Sequence, residues 1–338
     1  MNTYSFLTKS QDIVDEIDTG LIKYIPKEPP EFEKACETAL TGGKHLRGIV
    51  GVYSCLAVGG KIETALPFAV SIELAHSSSL VADDFIDKDE LRRGRPSIHT
   101  KFGRDIAILT SSYLLGCSYE SFYELFKKRS IPSGVFFNII GMAHKSVMNA
   151  CIGEAMDITS NGAVGMEDYL RTVGRKTGEA FRAAAEIGAV IGEASKGSIV
   201  RTKIRYLADK KRHSLLGENG KNNTMALSDY GRYLGLSFQI RDDILDVIGT
   251  KELLGKPVHS DMIMGRSSAV LELSILENMP EDTETLKHIL KESKTVDHAQ
   301  DLAMEYANKA KSCLKNLDDS QYRSMLMEIA DFAVNREL

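Results

Sequence analysis

Two aspartate clusters constrain this chain most: Asp83, Asp84 and Asp87 in the run VADDFIDKDELRRGRP, and Asp242, Asp243 and Asp246 in FQIRDDILDV, about half a chain apart. Each reads DDxxD. On an α-helix the first and last aspartates of such a cluster project from one face, so each helix offers two carboxylates to a common point. The pair repels itself unless a cation lies between. One copy alone reads most simply as a solvated helix face or an acidic helix start, which the macrodipole favours. Two copies, each flanked by apolar residues on its other faces, are harder to place at a surface. All-oxygen donors suit a hard ion, and Mg²⁺ takes only one or two protein carboxylates, completing its octahedron with water and substrate phosphate. The clusters therefore point to a metal-bridged diphosphate.

Long helical periods punctuated by Gly and Pro dominate the rest of the chain, and strand signals are scarce. Predicted helices run over Ser10 to Tyr24, Glu31 to Leu40, His45 to Val58, from Ile62 through the first cluster, and over about 104–128, 132–159, 166–193, 224–249 and 266–278, with shorter ones to the end. No interior linker divides them. The expectation is all-α: a single domain over residues 1–338, with long helices bundled around a central cavity. A length of 338 residues, 43% of them hydrophobic, allows a core of that size. Two stretches break the pattern. Glu193 to Asn223 is basic and then Gly/Asn-rich, predicting a surface helix followed by a mobile loop, and Thr250 to Met264 holds Lys256 and Asp261 just past the second cluster.

Charge and composition exclude other classes. The net charge is −5 with basic residues scattered except near Lys210 to Arg212, so there is no nucleic-acid footprint. Five cysteines without short paired spacing predict reduced thiols. The N-terminus lacks a hydrophobic signal core, and no run of about twenty apolar residues predicts a membrane span. The expected compartment is the cytosol.

A metal-bound diphosphate still needs fixed cations, and the sequence places them near the acids. Arg92 and Arg93 follow the first cluster, where they could equally be a helix C-terminal charge pair. In GGKHLRG, Lys44 and Arg47 follow a flexible Gly-Gly turn at a helix start, which suits an anion but also two solvated bases. Lys176, in the small, apolar run GRKTGEAFRAAAEIGAVIG, costs desolvation unless an anion meets it or its stem snorkels. Gln239, three residues before Asp242, shares that helix's face, where its dipole could meet developing positive charge.

In order, the segments GGKHLR, ELAHSSSLVADDFIDKDELRRGRPSIH, KTG, FQIRDDILD and LGKPVHSD resemble the trans-isoprenyl diphosphate synthases, from about Gly42 to Arg266. These are all-α prenyltransferases of the isoprenoid synthase fold that extend allylic diphosphates with isopentenyl diphosphate. The resemblance implies that Asp83, Asp87 and Asp242 hold Mg²⁺ ions bridging the allylic diphosphate, with Asp84, Asp243 and Asp246 in support. It assigns Arg92, Lys176 and Lys256 to that same diphosphate, and Lys44, Arg47, His76 and Arg93 to isopentenyl diphosphate, which needs no metal bridge. Thr177 and Gln239 would line the region of the allylic cation, and a homodimer would form over the helix face around Asp105 to Glu120.

Several positions depart from the family pattern. His45 and Gly48 stand for the usual Arg and Pro of a GGKRLRP-like motif, Ala82 for a common His, Ser111-Ser112 for Gly-Asp, and Arg266 for a Lys that helps close the site. About 196–223 reads as a loop insertion. No metal carboxylate is missing. Rival readings are a farnesyl synthase, a terpene cyclase, a non-catalytic regulatory subunit and a carboxylate-bridged di-iron protein, the last lacking paired Glu-x-x-His motifs.

Product length is expected to depend on the helix face below Asp83: Ser79, Ser78, Ala75, Ile72, Ser71 and then Phe68. Family members that stop early place an aromatic residue one turn below the cluster, and here both candidate positions are Ser. Each helical turn advances about 5.4 Å, near one isoprene unit, so the face predicts roughly C20 to C30. Alternatively the small residues only let helices pack closely, and residues around Tyr113 to Tyr119 or Met142 to Met148 form the floor.

Overall fold

The computed structural model describes residues 4–127, 131–160, 164–196, 218–249, 267–273 and 294–336, and these are overwhelmingly helical. Short α1 (Ser5–Lys9), α2 (Gln11–Ile22) and α3 (Pro30–Leu40) precede α4 (Leu46–Ala57) and the long α5 (Ile62–Asp87). A two-residue antiparallel ladder, Leu91–Arg92 with Arg95–Pro96, leads to α6 (Ile98–Phe102), α7 (Arg104–Lys127) and α8 (Ser133–Thr159). Then come α9 (Met166–Val173), a π-helical turn over Gly174–Gly178, α10 (Glu179–Ser195) and α11 (Glu218–Ile248). The described chain closes with α12 (Ala269–Leu273), α13 (Thr295–Cys313) and α14 (Gln321–Asn335).

The hub is α10. Its run of Ala, Gly and Ile is buried almost all round, so α4, α5, α8 and α11 can pack about it. Its charged stripe is paired within itself, Arg182 with Glu179 and Glu186, so the helix can sit at the centre of the bundle. Close approach depends on glycine: a Cβ on Gly188 would come within 2.1 Å of the Gly51 carbonyl oxygen of α4, and one on Gly231 of α11 within 2.4 Å of the Phe181 carbonyl oxygen. These contacts set the spacing of α4, α10 and α11. Serine hydroxyls join α5 to α7: Ser71 Oγ donates to the Ser118 carbonyl, Ser78 Oγ to the Ser111 carbonyl and Ser121 Oγ to the Pro67 carbonyl, all at 2.8–2.9 Å.

Three expectations need revision. The helix placed at 166–193 is divided, with the π turn between α9 and α10; the extra residue fits the backbone around Gly153 of α8, where a Cβ would meet the Lys176 amide nitrogen at 2.4 Å. The Gly/Asn-rich stretch expected to be loop is helical from Glu218 onward. There Asn223 Nδ2 donates to Glu193 Oε1 of α10 at 3.0 Å, a tertiary contact outweighing low helix propensity. Arg92 lies in the small ladder, not in the last turn of α5. Lys256, Asp261, Arg266 and residues 197–217, on which further expectations rest, lie outside the described residues.

By length and hydropathy, α5 and α8 could each cross a membrane, contrary to the expectation from the sequence. For α5 that composition reflects a core position. The described part of α8 exposes Phe137, Met148 and Ile152, and α7 exposes Ile108, Leu109, Tyr119 and Tyr123.

Replacing Gly188 with Ala should push α4 from α10 and cost about 1–3 kcal/mol of stability, the usual penalty for overpacking. Urea unfolding measures it, and an unchanged midpoint would contradict this packing.

Candidate active site

The C-terminal half of α5, the start of α4, the π turn, α11 and the end of α14 enclose a cavity of about 680 Å³. It gathers residues from distant parts of the sequence. Asp83 and Asp87 line one side, Asp242, Asp243 and Asp246 another, and Lys44, Arg47, His76, Arg92, Arg93, Lys176 and Gln239 complete the wall. Thr177 is buried just behind it.

Within each cluster the middle aspartate is committed to the protein. Asp84 is buried and accepts Arg92 Nε at 2.7 Å, with Nη2 of the same guanidinium on the same oxygen. Asp243 is buried and accepts from Tyr169 Oη (2.6 Å), the Ala269 amide (2.8 Å) and Gln239 Nε2 (3.1 Å). The outer aspartates look into the cavity. Burial raises the Asp83 carboxyl to about 7; Lys176 opposes this, while Glu154 and Asp87 reinforce it. Asp242 pairs with Arg336, whose guanidinium also donates to the Phe238 carbonyl and lies 3.6 Å from that ring's centre.

These donors fit a hard divalent ion. Among the described residues no three of His, Cys, Asp or Glu converge as a ready-made chelate. Asp83, Asp87, Asp242 and Asp246 supply oxygen only, and a desolvated carboxyl such as Asp83 is one that a cation would ionise.

Lys176 faces the aspartates from the π turn. Burial alone would lower its ammonium, but Asp157, Glu154 and Asp83 outweigh this and hold it above the ordinary lysine range. Its Nζ lies 2.6 Å from Asp157 Oδ2 and 2.7 Å from Glu154 Oε2 of α8. Next to it, Thr177 Oγ1 donates to Gln239 Oε1 at 2.7 Å, so Gln239 is anchored at both ends of its amide, by Thr177 and Asp243.

A second group of cations gathers around the start of α4, on the same cavity. Arg47 is half-buried with its guanidinium 4.6 Å from the Phe181 ring centre, and Nη1 donates to His76 Nε2 at 3.0 Å. His76 is the acceptor, hence neutral at that nitrogen; burial and the Arg47 charge hold its pKa well below the usual histidine range. Lys44 Nζ stands 5.2 Å from the Phe332 ring centre, with its pKa lowered by burial and by Arg336. Arg93 anchors the Gly42-Gly43 turn by donating to the Thr41 and Gly42 carbonyls. Beneath them Glu73 accepts the Gly48 amide at 2.7 Å and meets His45 Nδ1 at 3.3 Å; burial opposes its charge, but these hydrogen bonds hold it down at about 2.

The six residues expected below Asp83 do not line this cavity. Ser71 and Ser78 turn their hydroxyls into α7 as described, and Phe68 is buried edge-on against Phe122, 5.8 Å between centres. Ile72 and Ala75 are half-buried, whereas Ser79 is exposed and bonds only to its own helix at the His76 carbonyl. Of the alternative floor residues, Tyr113 packs on Phe32 and Met142 is buried, while Met148 is exposed.

Sequence reasoning missed several residues here. Glu73 could have been found, since it lies one helical turn before His76 on the helix of the first cluster. Glu154 and Asp157 carry a similar three-residue spacing. Arg336 gave no signal: it reaches Asp242 from 94 positions away. Tyr169 was one tyrosine among twelve.

A family model described as polyprenyl synthetase matches residues 29–307. The chain is 31% identical to a geranylgeranyl diphosphate synthase of Methanosarcina mazei, covering 96% of this chain and 98% of that one. It is also 31% identical to a geranylfarnesyl diphosphate synthase of Aeropyrum pernix, over 87% and 91%. Among solved structures, geranylgeranyl pyrophosphate synthetase of Pyrococcus horikoshii superposes with a TM-score of 0.82 at 30% identity, covering 98% of each chain. A polyprenyl synthase of Caulobacter crescentus, solved with calcium and isoprenyl diphosphate, gives 0.82 at 25% identity, over 99% of this chain and 98% of that one. The chain belongs to the polyprenyl synthetase family, and its fold is the all-α isoprenoid synthase fold.

The two adjacent aspartates of the second cluster should separate on substitution. Asp243→Asn removes an acceptor with three donors and should cost about 1–3 kcal/mol, whereas Asp242→Asn, at a half-exposed ion pair, should cost at most about 1 kcal/mol. Thermal unfolding of both variants without metal checks this; equal losses would refute the division of roles.

Proposed function

We propose that the chain is a Mg²⁺-dependent trans-prenyltransferase that condenses isopentenyl diphosphate with an allylic diphosphate, releasing diphosphate and building an all-trans product of about C20 to C25. The observation carrying this reading is one cavity that joins two aspartate helices to a separate cation group at Lys44 and Arg47. A terpene cyclase needs only the first part.

In the reaction the allylic C–O bond breaks and its electron pair leaves with the diphosphate. The isopentenyl double bond attacks the allylic carbon, and the new cation loses a proton to the released diphosphate. Bound Mg²⁺ supplies charge stabilisation on the departing oxygens, and Asp83, Asp87 and Asp242, with Asp246 in support, are the residues to hold it. Asp84 and Asp243 act indirectly, one fixing Arg92 and the other Gln239 and Tyr169. Lys176 and Arg92 offer fixed charge to the same leaving group. Their carboxylate partners keep both side chains in place until a diphosphate competes for them. Thr177 and Gln239 present preorganised dipoles beside the allylic carbon, and the apolar rings of Phe238 and Phe332 exclude water from it.

Product length follows from the wall below Asp83. Phe68 lies fifteen residues before Asp83, about 22 Å along the helix, and with Phe122 and Phe136 it forms an aromatic base there. That depth suits four isoprene units, for a tail that passes beyond the cavity described above, since Ala75 and Ser79 do not line it. A homodimer completes the reading, supported by the exposed apolar residues of α7 and α8, and a cytosolic setting is supported by the five free thiols.

Incubation with Mg²⁺, isopentenyl diphosphate and allylic starters of increasing length, followed by product sizing, tests the activity; failure to extend every starter overturns it. In the same assay Ser79→Phe should shift the product toward C15 without unfolding the protein, since Ser79 is exposed. An unchanged product distribution would move the length determinant to another wall. Light scattering should give the mass of two chains, falling to one in Leu109→Glu.

A further inference from the structure

His45 has a backbone φ of 44°, in the left-handed region that a side chain enters only when its surroundings demand it. The surroundings are two carboxylates. Its buried ring places Nε2 2.8 Å from Asp18 Oδ1 of α2 and Nδ1 3.3 Å from Glu73 Oε2 of α5. A neutral imidazole donates from one nitrogen only, so it would set a lone pair against one carboxylate; the imidazolium satisfies both. Glu73 turns its other oxygen to the Gly48 amide, in the first turn of α4. Proline there would have no N–H to give, and any Cβ would press on Ile17 at 2.8 Å and Glu73 at 3.2 Å. Both departures within GGKHLRG therefore converge on one partner, Glu73.

We propose that His45 is a positioning residue: its imidazolium, clasped between Asp18 and Glu73, holds the backbone turn that presents Lys44 and Arg47 to the metal-free diphosphate, so that binding there weakens as pH rises. The inference rests on the proposed function, which makes that diphosphate isopentenyl diphosphate. Every charged neighbour bears on it. Asp18 faces the ring from α2, Glu73 and His76 lie on α5, Lys44 and Arg47 flank it in its own segment, and Arg93 reaches the Gly42 carbonyl from the ladder. Glu73, held at about 2, stays ionised, and His76 stays neutral, so neither changes charge near neutral pH. Burial pushes the His45 pKa down, but Glu73 and Asp18 push it up and prevail. A value raised above the ordinary histidine value of about 6.5 keeps the clasp whole below that pH and loses it as pH climbs through the raised value.

The test compares wild type, His45→Arg and Asp18→Asn between about pH 6.5 and 9.5, reading KM for isopentenyl diphosphate and kcat separately. The KM of wild type relative to His45→Arg should climb about tenfold over that range, as a charge-assisted contact is lost. The ratio of kcat values should stay constant, and the ionisation of the substrate cancels in both. Asp18→Asn should move the climb to lower pH, because a neighbouring negative charge has gone. A KM ratio independent of pH overturns the clasp and leaves the proposed function intact. If no starter is extended the functional reading falls instead, and NMR titration of the metal-free protein decides the clasp on its own. An imidazole titrating above about 7 and absent from His45→Arg supports it, and one titrating below about 6.5 refutes it. Should the arginine variant fail to fold, the signal displaced in Asp18→Asn identifies His45.

Discussion

Carboxylates gathered from two helices onto one cavity are the constraint on which the rest of this structure depends. At an effective dielectric of about 20, two like charges 4 Å apart repel by roughly 4 kcal/mol, which a protein of ordinary stability cannot absorb many times over. The chain resolves the problem by dividing each DDxxD. Asp84 and Asp243 are withdrawn into hydrogen bonds with Arg92 and with Tyr169, Gln239 and Ala269. The outer positions face the cavity, where Lys176 opposes the burial that raises Asp83 to about 7 and Arg336 pairs with Asp242. Removing a buried partner from such a pair leaves the other charge stranded, which costs more than the pair gains. Each cation is therefore tied to the site's stability as well as to its chemistry.

The same constraint explains why the cations fall into two groups with different supports. Lys176 is positioned by a π turn, and an extra residue in a helical turn is a common device at functional sites. It needs Gly153 opposite, because backbone meets backbone there. Arg47 is held by an aromatic face, a neutral histidine and a buried helix. A guanidinium can be kept desolvated in that way, being planar and weakly hydrated, where an ammonium cannot. Both groups line the same cavity as the carboxylates, but one is held by acids and the other by aromatic rings and a histidine.

Much of this was legible in the sequence because the signals were local. DDxxD puts carboxylates on one helix face whatever the tertiary structure, and glycine-flanked lysines and arginines mark helix starts in the same way. The residues that escaped act through tertiary contact. Arg336 reaches Asp242 only because α14 packs against α4 and α11, and no period of the chain encodes that approach. Glu218 to Asn223 carry loop composition, yet continue α11 because Asn223 finds Glu193 on the neighbouring helix. Propensity is a weak prior and a partly buried hydrogen bond exceeds it. The π turn was invisible for a related reason: Gly174–Gly178 has no pattern distinguishing it from the α-helices on either side.

The serines of α5 show how one residue type can serve two purposes on adjacent faces. Ser71 and Ser78 donate to carbonyls of α7, and Ser121 of α7 returns the contact at Pro67. These bonds weld α5 and α7 into a single wall, since a buried hydroxyl that lost its acceptor would carry a desolvation penalty of about 1–3 kcal/mol. Small size there is a packing requirement. Ser79 makes no such contact; its hydroxyl returns to its own helix, and its side chain is exposed. A serine that packs against nothing has no packing reason to be small. Phe68 and Phe122, by contrast, are fixed in size because their edge-to-face contact belongs to the α5–α7 wall.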